Sequence, residues 1–139
     1  MKIVIDTREQ KPYKLTDAVK SALKTGDYSI EGYEEEIAIE RKSYSDLYHS
    51  LTTAKNRFKK QMKRLSKYPY RYLVIDSTVS SVILGHPQCD LPGPVALKKL
   101  FEIAVPLGVP VCFVDNQGDK IVRNLLYQFK VMADAKEGS

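Results

Sequence analysis

Two short segments with a residue alternation of period two, separated by a polar turn, most constrain what this chain can become. Tyr28-Ser29-Ile30 and Ile37-Ala38-Ile39-Glu40-Arg41-Lys42 alternate as strands do, and Gly32-Tyr33-Glu34-Glu35-Glu36 between them is polar and carries a turn glycine. Joined this way they form an antiparallel hairpin centred near residues 33 and 34. That register sets Asp27 opposite Glu40, Tyr28 opposite Ile39, and Ile30 opposite Ile37. Cβ atoms of directly opposed residues lie about 4.5–5.5 Å apart, so two carboxylates face each other. Lys42, two residues beyond Glu40, shares their face, whereas Tyr28, Ile30, Ile37 and Ile39 take the other.

Like charges across a strand pair are destabilising unless something compensates them. A divalent cation does so, and hard oxygen ligands suit Mg2+ or Mn2+. Carboxylates that hold such an ion, with an ammonium beside them, are what phosphodiester hydrolysis requires: a polarised phosphoryl oxygen, an activated water and a cation to offset growing charge. An exposed hairpin with ordinary surface charges is the plain alternative for an Asp-x(12)-Glu-x-Lys pattern on its own.

The flanking residues narrow the choice. Gly26-Asp27, Glu40-Arg41-Lys42 and Asp46 fill every fixed position of the G-D-x(n)-E-R-K-x(3)-D signature, and Ile5-Asp6-Thr7-Arg8-Glu9 is similar to an upstream D-x-R-E motif. The chain thus resembles the XPF-type structure-specific endonucleases, closely over residues 1 to about 75 and in pattern only beyond. The resemblance implies a restriction-endonuclease-like α/β core, a central mixed sheet flanked by helices. It also implies cleavage of branched, flap or fork DNA with Asp27 and Glu40 as principal metal ligands. Asp6 would complete the metal shell or position water, with Glu9 as a further candidate, and Lys42 would polarise water or stabilise charge at phosphorus. Arg8 is assigned to phosphate or to holding the acids. Arg41 points away from Glu40 and Lys42 in an ideal strand, so a structural ion pair competes with a role in the site. Asp46 is read as supporting: Ser43 and Asp46 resemble a capping box that starts a helix and orients Lys42 or Arg41.

After Lys42 the period lengthens. Leu47, Leu51, Ala54, Phe58, Met62 and Leu65 recur every three or four residues, a helical stripe that Thr52-Thr53 divides in two. Between Lys55 and Arg71 lie eight basic residues and no acidic one, against a net charge of +5 for the whole chain. Such a block suits phosphate backbones, whose attraction reads no sequence; a solvated helix face is the alternative. Arg57, Lys59, Lys60, Gln61, Lys63 and Arg64 are the candidate DNA contacts, with Arg57 and Gln61 four apart on one edge.

The remainder is read more coarsely. Lys2 to Ile5 is a short buried strand that delivers Asp6, and Lys14 to Lys24 is irregular or a short helix without chemistry. Tyr72 to Asp76 and Val109 to Val114 are further strands, and Thr78 to Leu84 is a short helix. The proline-rich loop 85–94 is left unassigned. Leu97, Leu100, Phe101 and Ala104 mark one helix, and Ile121, Leu125, Phe129 and Met132 mark the buried face of the last. Residues 1–135 read as a single domain, with 136–139 a frayed tail. No apolar run spans a membrane and no signal peptide is evident, and Cys89 and Cys112 form no CxxC pair, so an intracellular setting is expected. XPF-type enzymes usually add a helix-hairpin-helix domain, absent here, so a homodimer or a partner subunit supplying one is expected. A non-catalytic DNA-binding or scaffold subunit is the rival reading. A nuclease of the same core with another specificity (resolvase, sequence-specific cutter or RNase) is the third.

Overall fold

The computed structural model describes residues 1–138. Six strands form one mixed sheet in the order β2-β1-β3-β4-β5-β6. They are β1 (Ile3–Ile5), β2 (Ala18–Lys20), β3 (Tyr28–Ile30), β4 (Ile37–Ser43), β5 (Tyr70–Asp76) and β6 (Val111–Phe113). The β1–β3 and β3–β4 pairs are antiparallel, and the β1–β2, β4–β5 and β5–β6 pairs are parallel. Five helices cover the two faces: α1 (Tyr44–Leu51), α2 (Lys55–Ser66), α3 (Val79–Leu84), α4 (Gly93–Ala104) and α5 (Gly118–Glu137). This is the restriction-endonuclease-like architecture expected from the sequence.

The hairpin takes the expected register, with Tyr28 opposite Ile39. Gly26 turns the chain into it at φ +84°, where a Cβ would stand 3.2 Å from both the Ala38 Cβ and the Ile39 carbonyl oxygen. Only glycine accepts that backbone angle at so close an approach without strain. Strand parity then divides β4 between two cores. Ile37 and Ile39 pack with Ile3, Ile5, Tyr28, Val74, Val122 and Leu126 under α5. Ala38 packs with Leu47, Leu51, Phe58, Met62, Leu73 and Leu100 under α1, α2 and α4. Glu40 and Lys42 follow the parity of Ala38, and Arg41 follows that of Ile39.

Helix α1 begins as anticipated, with the Ser43 hydroxyl accepting from the Asp46 amide at 3.1 Å. Thr52 then bonds back to the Tyr48 carbonyl, and the break at 52–54 separates α1 from α2. Three expectations need correction. The stretch 14–24 holds a strand, β2, parallel to β1; its edge position leaves Val19 and Lys20 exposed, so no alternation announced it. Helix α4 buries Gly93, Ala96, Leu100 and Ala104, while Phe101 is exposed. Helix α5 buries Gly118, Val122, Leu126 and Ala133; Leu125 and Phe129 are half-buried, whereas Ile121 and Met132 lie outside. Helix α5 runs to Glu137, into the stretch 136–139 read as a tail; Ser139 lies outside the described residues. No helix is long and apolar enough to cross a membrane, among the described residues.

Candidate active site

Three chain segments meet at the carboxyl ends of β1 and β4. Asp6 directly follows β1, and its amide donates to the Asp27 carbonyl at 2.9 Å, while the Asp27 amide donates to the Ile39 carbonyl at 2.8 Å. Beside them lies a cavity of about 230 Å3 lined by Asp6, Asp27, Glu40 and Gly26 on the sheet side and by Gln61 and Arg64 of α2, with Arg8 and Lys24 at its rim. The structure therefore brings together five of the residues singled out from the hairpin, its glycine and the upstream motif (Asp6, Arg8, Gly26, Asp27 and Glu40), and two of the six candidate DNA contacts.

Asp27 and Glu40 carry the unusual electrostatics. Burial, and then the negative charge of Glu40, push the Asp27 carboxyl well above the ordinary carboxylate range. Burial likewise pushes Glu40 up, against the opposing pull of Lys42 and of its side-chain contact with Asp27. Removing two carboxylates from water beside one another disfavours the doubly ionised state. Lys42 relieves this in part: its Nζ is 4.0 Å from Glu40 Oε1 and donates to Gln61 Oε1 at 3.2 Å, with the Phe58 ring 5.5 Å away. Gln61, expected to work with Arg57, instead anchors the lysine. Arg57 lines a separate hollow with His49, Thr52 and Thr53. Lys59, Lys60 and Lys63 are exposed on α2, whose Phe58, Met62 and Leu65 face the core.

Asp6 behaves differently from the other two acids. It is buried, its Oδ1 accepts from the Leu23 amide at 2.9 Å, and its Oδ2 accepts from Arg8 Nε at 2.8 Å. Burial would raise its carboxyl, but the Leu23 amide and the Arg8 guanidinium together hold it below its ordinary value. Both oxygens are thus engaged within the protein. Among the described residues no three carboxylate, imidazole or thiolate groups converge as a metal-holding cluster. Asp6 thus lines the same cavity with its oxygens bonded to Arg8 and the Leu23 amide, beside the Asp27–Glu40 pair. Arg8 accordingly serves Asp6 and the Leu23 carbonyl, 2.7 Å from its Nη2.

The donor set of that pair fits a hard divalent ion. Mg2+ is commonly held by one or two carboxylates, with water and phosphate oxygens completing its shell. An ion there would also relieve the mutual repulsion that keeps Asp27 and Glu40 from ionising together.

Arg41 shows how the other face of β4 is arranged. Its amide donates to Asp27 Oδ2 at 2.8 Å, while its guanidinium crosses to the α5 side. There it lies 3.9 Å over the Tyr13 ring, bonds Asp76 Oδ2 at 2.6 Å and the Lys11 carbonyl at 2.5 Å, and stands 3.8 Å from Glu9. This is the ion-pair alternative for Arg41, with Asp76 as the partner. Glu9 is on this side rather than in the cavity, yet its charge still raises both Asp27 and Glu40. Asp46 is exposed; its amide completes the helix cap, but among the described residues no hydrogen bond or ion pair joins its carboxylate to Arg41 or Lys42. Tyr13 and Asp76 went unremarked in the sequence. Asp76 had one signal, its place at the end of a buried strand; Tyr13 had none.

A mixed sheet with a carboxylate pair and a lysine at the end of one hairpin, under a basic helix, defines a nuclease domain of the restriction-endonuclease-like class. Residues 5–120 match the ERCC4 domain, and the chain belongs to that family as an XPF-type nuclease domain. Among solved structures it is similar to XPF from Aeropyrum pernix (TM-score 0.73, 16% identity), over 92% of this chain and 61% of that one. A second structure, described as XPF from Aeropyrum pernix in complex with DNA, is similar at TM-score 0.72 and 16% identity, over 93% of this chain and 64% of that one. At this identity the likeness is one of fold, and the chain spans less than two thirds of the length of either structure. No curated protein matches the sequence.

Proposed function

We propose that this domain is a divalent-metal-dependent endonuclease that hydrolyses DNA phosphodiester bonds at branched, flap or fork structures. The observation that carries the proposal is the Asp27–Glu40 pair, two half-buried carboxyls that line one cavity beside Lys42, which burial raises above their ordinary range. Family membership supports a nuclease, and the DNA bound to a protein of the same fold supports the substrate. Residues 1–135 act as one domain in this reading, and a second copy or a partner subunit supplies further DNA contacts.

Asp27 and Glu40 would hold Mg2+ or Mn2+, which when bound polarises a phosphoryl oxygen and lowers the pKa of a water. Lys42 is held by Gln61 within reach of the same place, so its ammonium needs no reorganisation to meet negative charge developing on the phosphoryl oxygens. Asp6 keeps the Leu23–Lys24 segment against the end of β1 through the Leu23 amide, which shapes the cavity wall. Arg64 and Gln61 bring the first turns of phosphate contact to the cavity edge, and Lys59, Lys60, Lys63 and Arg57 extend the basic surface along α2. These contacts position a backbone without reading bases.

The test is incubation of labelled flap, fork, Holliday junction, linear duplex and RNA with Mg2+ or Mn2+. The expected result is cleavage of branched DNA that Asp27→Asn abolishes while DNA affinity is retained. Tight binding with no cleavage would make the chain a scaffold subunit. Equal cleavage of linear duplex and fork would remove the preference for branches.

A further inference from the structure

The nuclease reading explains the α2 face of β4 but gives no work to the closed cluster on the α5 face. Arg41 belongs to both. β3 pairs with β4 only at Tyr28–Ile39, whereas β5 accompanies β4 as far as Ser43, opposite Asp76. Beyond Ile39, the Arg41 amide therefore has the Asp27 carboxylate, not a strand, as its acceptor. The Arg41 side chain fastens this stretch of β4 on the α5 side, where its guanidinium meets Asp76, the Lys11 carbonyl and the Tyr13 ring.

The anchor is itself immobilised. The Tyr13 ring stacks on Tyr28 with centroids 5.8 Å apart and planes at 25°, and the Tyr13 amide donates to the Tyr28 hydroxyl at 2.9 Å. At its far end the ring meets the first residue of α5, where a Cβ on Gly118 would stand 2.3 Å from the Tyr13 hydroxyl oxygen. Tyr13 thus has the β-sheet behind it, a helix N-terminus before it and Arg41 on its face. Asp76 closes the remaining side of the guanidinium from the end of β5.

We propose that Tyr13 and Asp76 are positioning residues of the nuclease site: by clamping the Arg41 guanidinium they keep its amide on Asp27 and hold that carboxylate aimed at the cavity. This rests on the nuclease reading for its consequence, but its structural core is the coupling from Tyr13 and Asp76 through Arg41 to Asp27. Losing an outer partner of a metal-binding carboxylate costs about 10–100-fold in metal affinity or activity.

The experiment compares Asp76→Ala with Asp76→Asn, and Tyr13→Leu with Tyr13→Phe, in the whole chain. Readouts are hydrogen exchange of the Arg41 amide by NMR, Mn2+ affinity by calorimetry without DNA, kcat and KM, and the melting temperature. Asp76→Ala and Tyr13→Leu are expected to speed Arg41 amide exchange, weaken Mn2+ binding about tenfold or more, and lower kcat with KM within about twofold. Asp76→Asn keeps an acceptor and Tyr13→Phe keeps the ring, so each recovers most of the loss. The proposal is overturned if Arg41 exchange and Mn2+ affinity stay at wild-type values while only melting falls. If Tyr13→Leu does not fold, the Asp76 pair decides. If wild type neither binds Mn2+ nor cuts, the nuclease reading fails on that result alone. Arg41 exchange in the variants then still decides whether Tyr13 and Asp76 hold Asp27.

Discussion

The two faces of β4 at its carboxyl end share one short run, Glu40-Arg41-Lys42, and treat charge in opposite ways. On the α5 side, Arg41 is matched by Asp76, a carbonyl and an aromatic ring, and although burial opposes the charge, Asp76 holds its guanidinium ionised. On the α2 side, Asp27 and Glu40 share one lysine; both carboxyls are raised by burial, and Asp27 further by the charge of Glu40. One face neutralises its arginine with a carboxylate of the protein; the other sets two carboxyls against a single lysine. That asymmetry locates chemistry better than the number of charged residues does, because an internally neutralised cluster has little to gain from a ligand.

The sharpest way to break the comparison is Asp27→Asn. Cleavage is expected to fall by about a hundredfold or more, beyond what outer partners of a metal ligand contribute, with DNA affinity by fluorescence anisotropy nearly unchanged. Surviving activity would move the site elsewhere. Lys42→Met comes next: kcat is expected to drop about 10²–10³-fold, the range for losing one preorganised charge-stabilising group, and unchanged single-turnover rates would reduce Lys42 to a support for Glu40. Leu126→Ala probes the closed side. Leu126 is fully buried under the sheet, so unfolding by urea should show a loss of about 2–5 kcal/mol, while kcat per folded molecule holds. A selective loss of kcat would mean that the two faces are not separable.

A pH series sharpens the open face. A carboxyl raised in the folded state binds its proton more tightly there than in the unfolded chain. The pair therefore favours folding at acid pH and ceases to do so as pH climbs through the raised values. Between about pH 5 and about pH 8 the metal-free protein should lose melting temperature relative to Asp27→Asn, and Mn2+ should restore more of it at the upper end. A flat difference between the two proteins would mean that the carboxyls are not strained. The smallest effect is expected of Arg64→Ala at the cavity edge: the salt dependence of DNA binding should shallow by about one unit in log–log slope. An unaltered slope would take Arg64 off the DNA path.

Much of this was legible from residues alone, and the boundary has physical causes. The Tyr28–Ile39 register followed from alternation because a one-residue slip would have exposed every isoleucine of the hairpin. The α1–α2 break followed from a cap and a threonine pair. By contrast, β2 is three residues at a sheet edge, held by backbone bonds from Ile3 to the Asp17 carbonyl and from Ser21 to the Ile5 carbonyl, and backbone bonds leave no side-chain pattern. Helix α5 carries apolar residues around most of its circumference, with Tyr127, Val131 and Met132 outside, so periodicity could not choose its buried stripe. Asp6 looked equivalent to Asp27 because both are acids beside a turn. Their difference lies in the Leu23 amide, seventeen residues away, which occupies one and not the other.

Local order along the chain determined that Asp27, Glu40 and Lys42 share a face, since strand parity is a property of the backbone itself. Tertiary structure decided what fills the opposite face, because Asp76 and Tyr13 reach Arg41, and Gly118 reaches Tyr13, only through parallel strand pairing and helix docking. Contacts of that kind depend on how separate segments pack, and packing has no period to read.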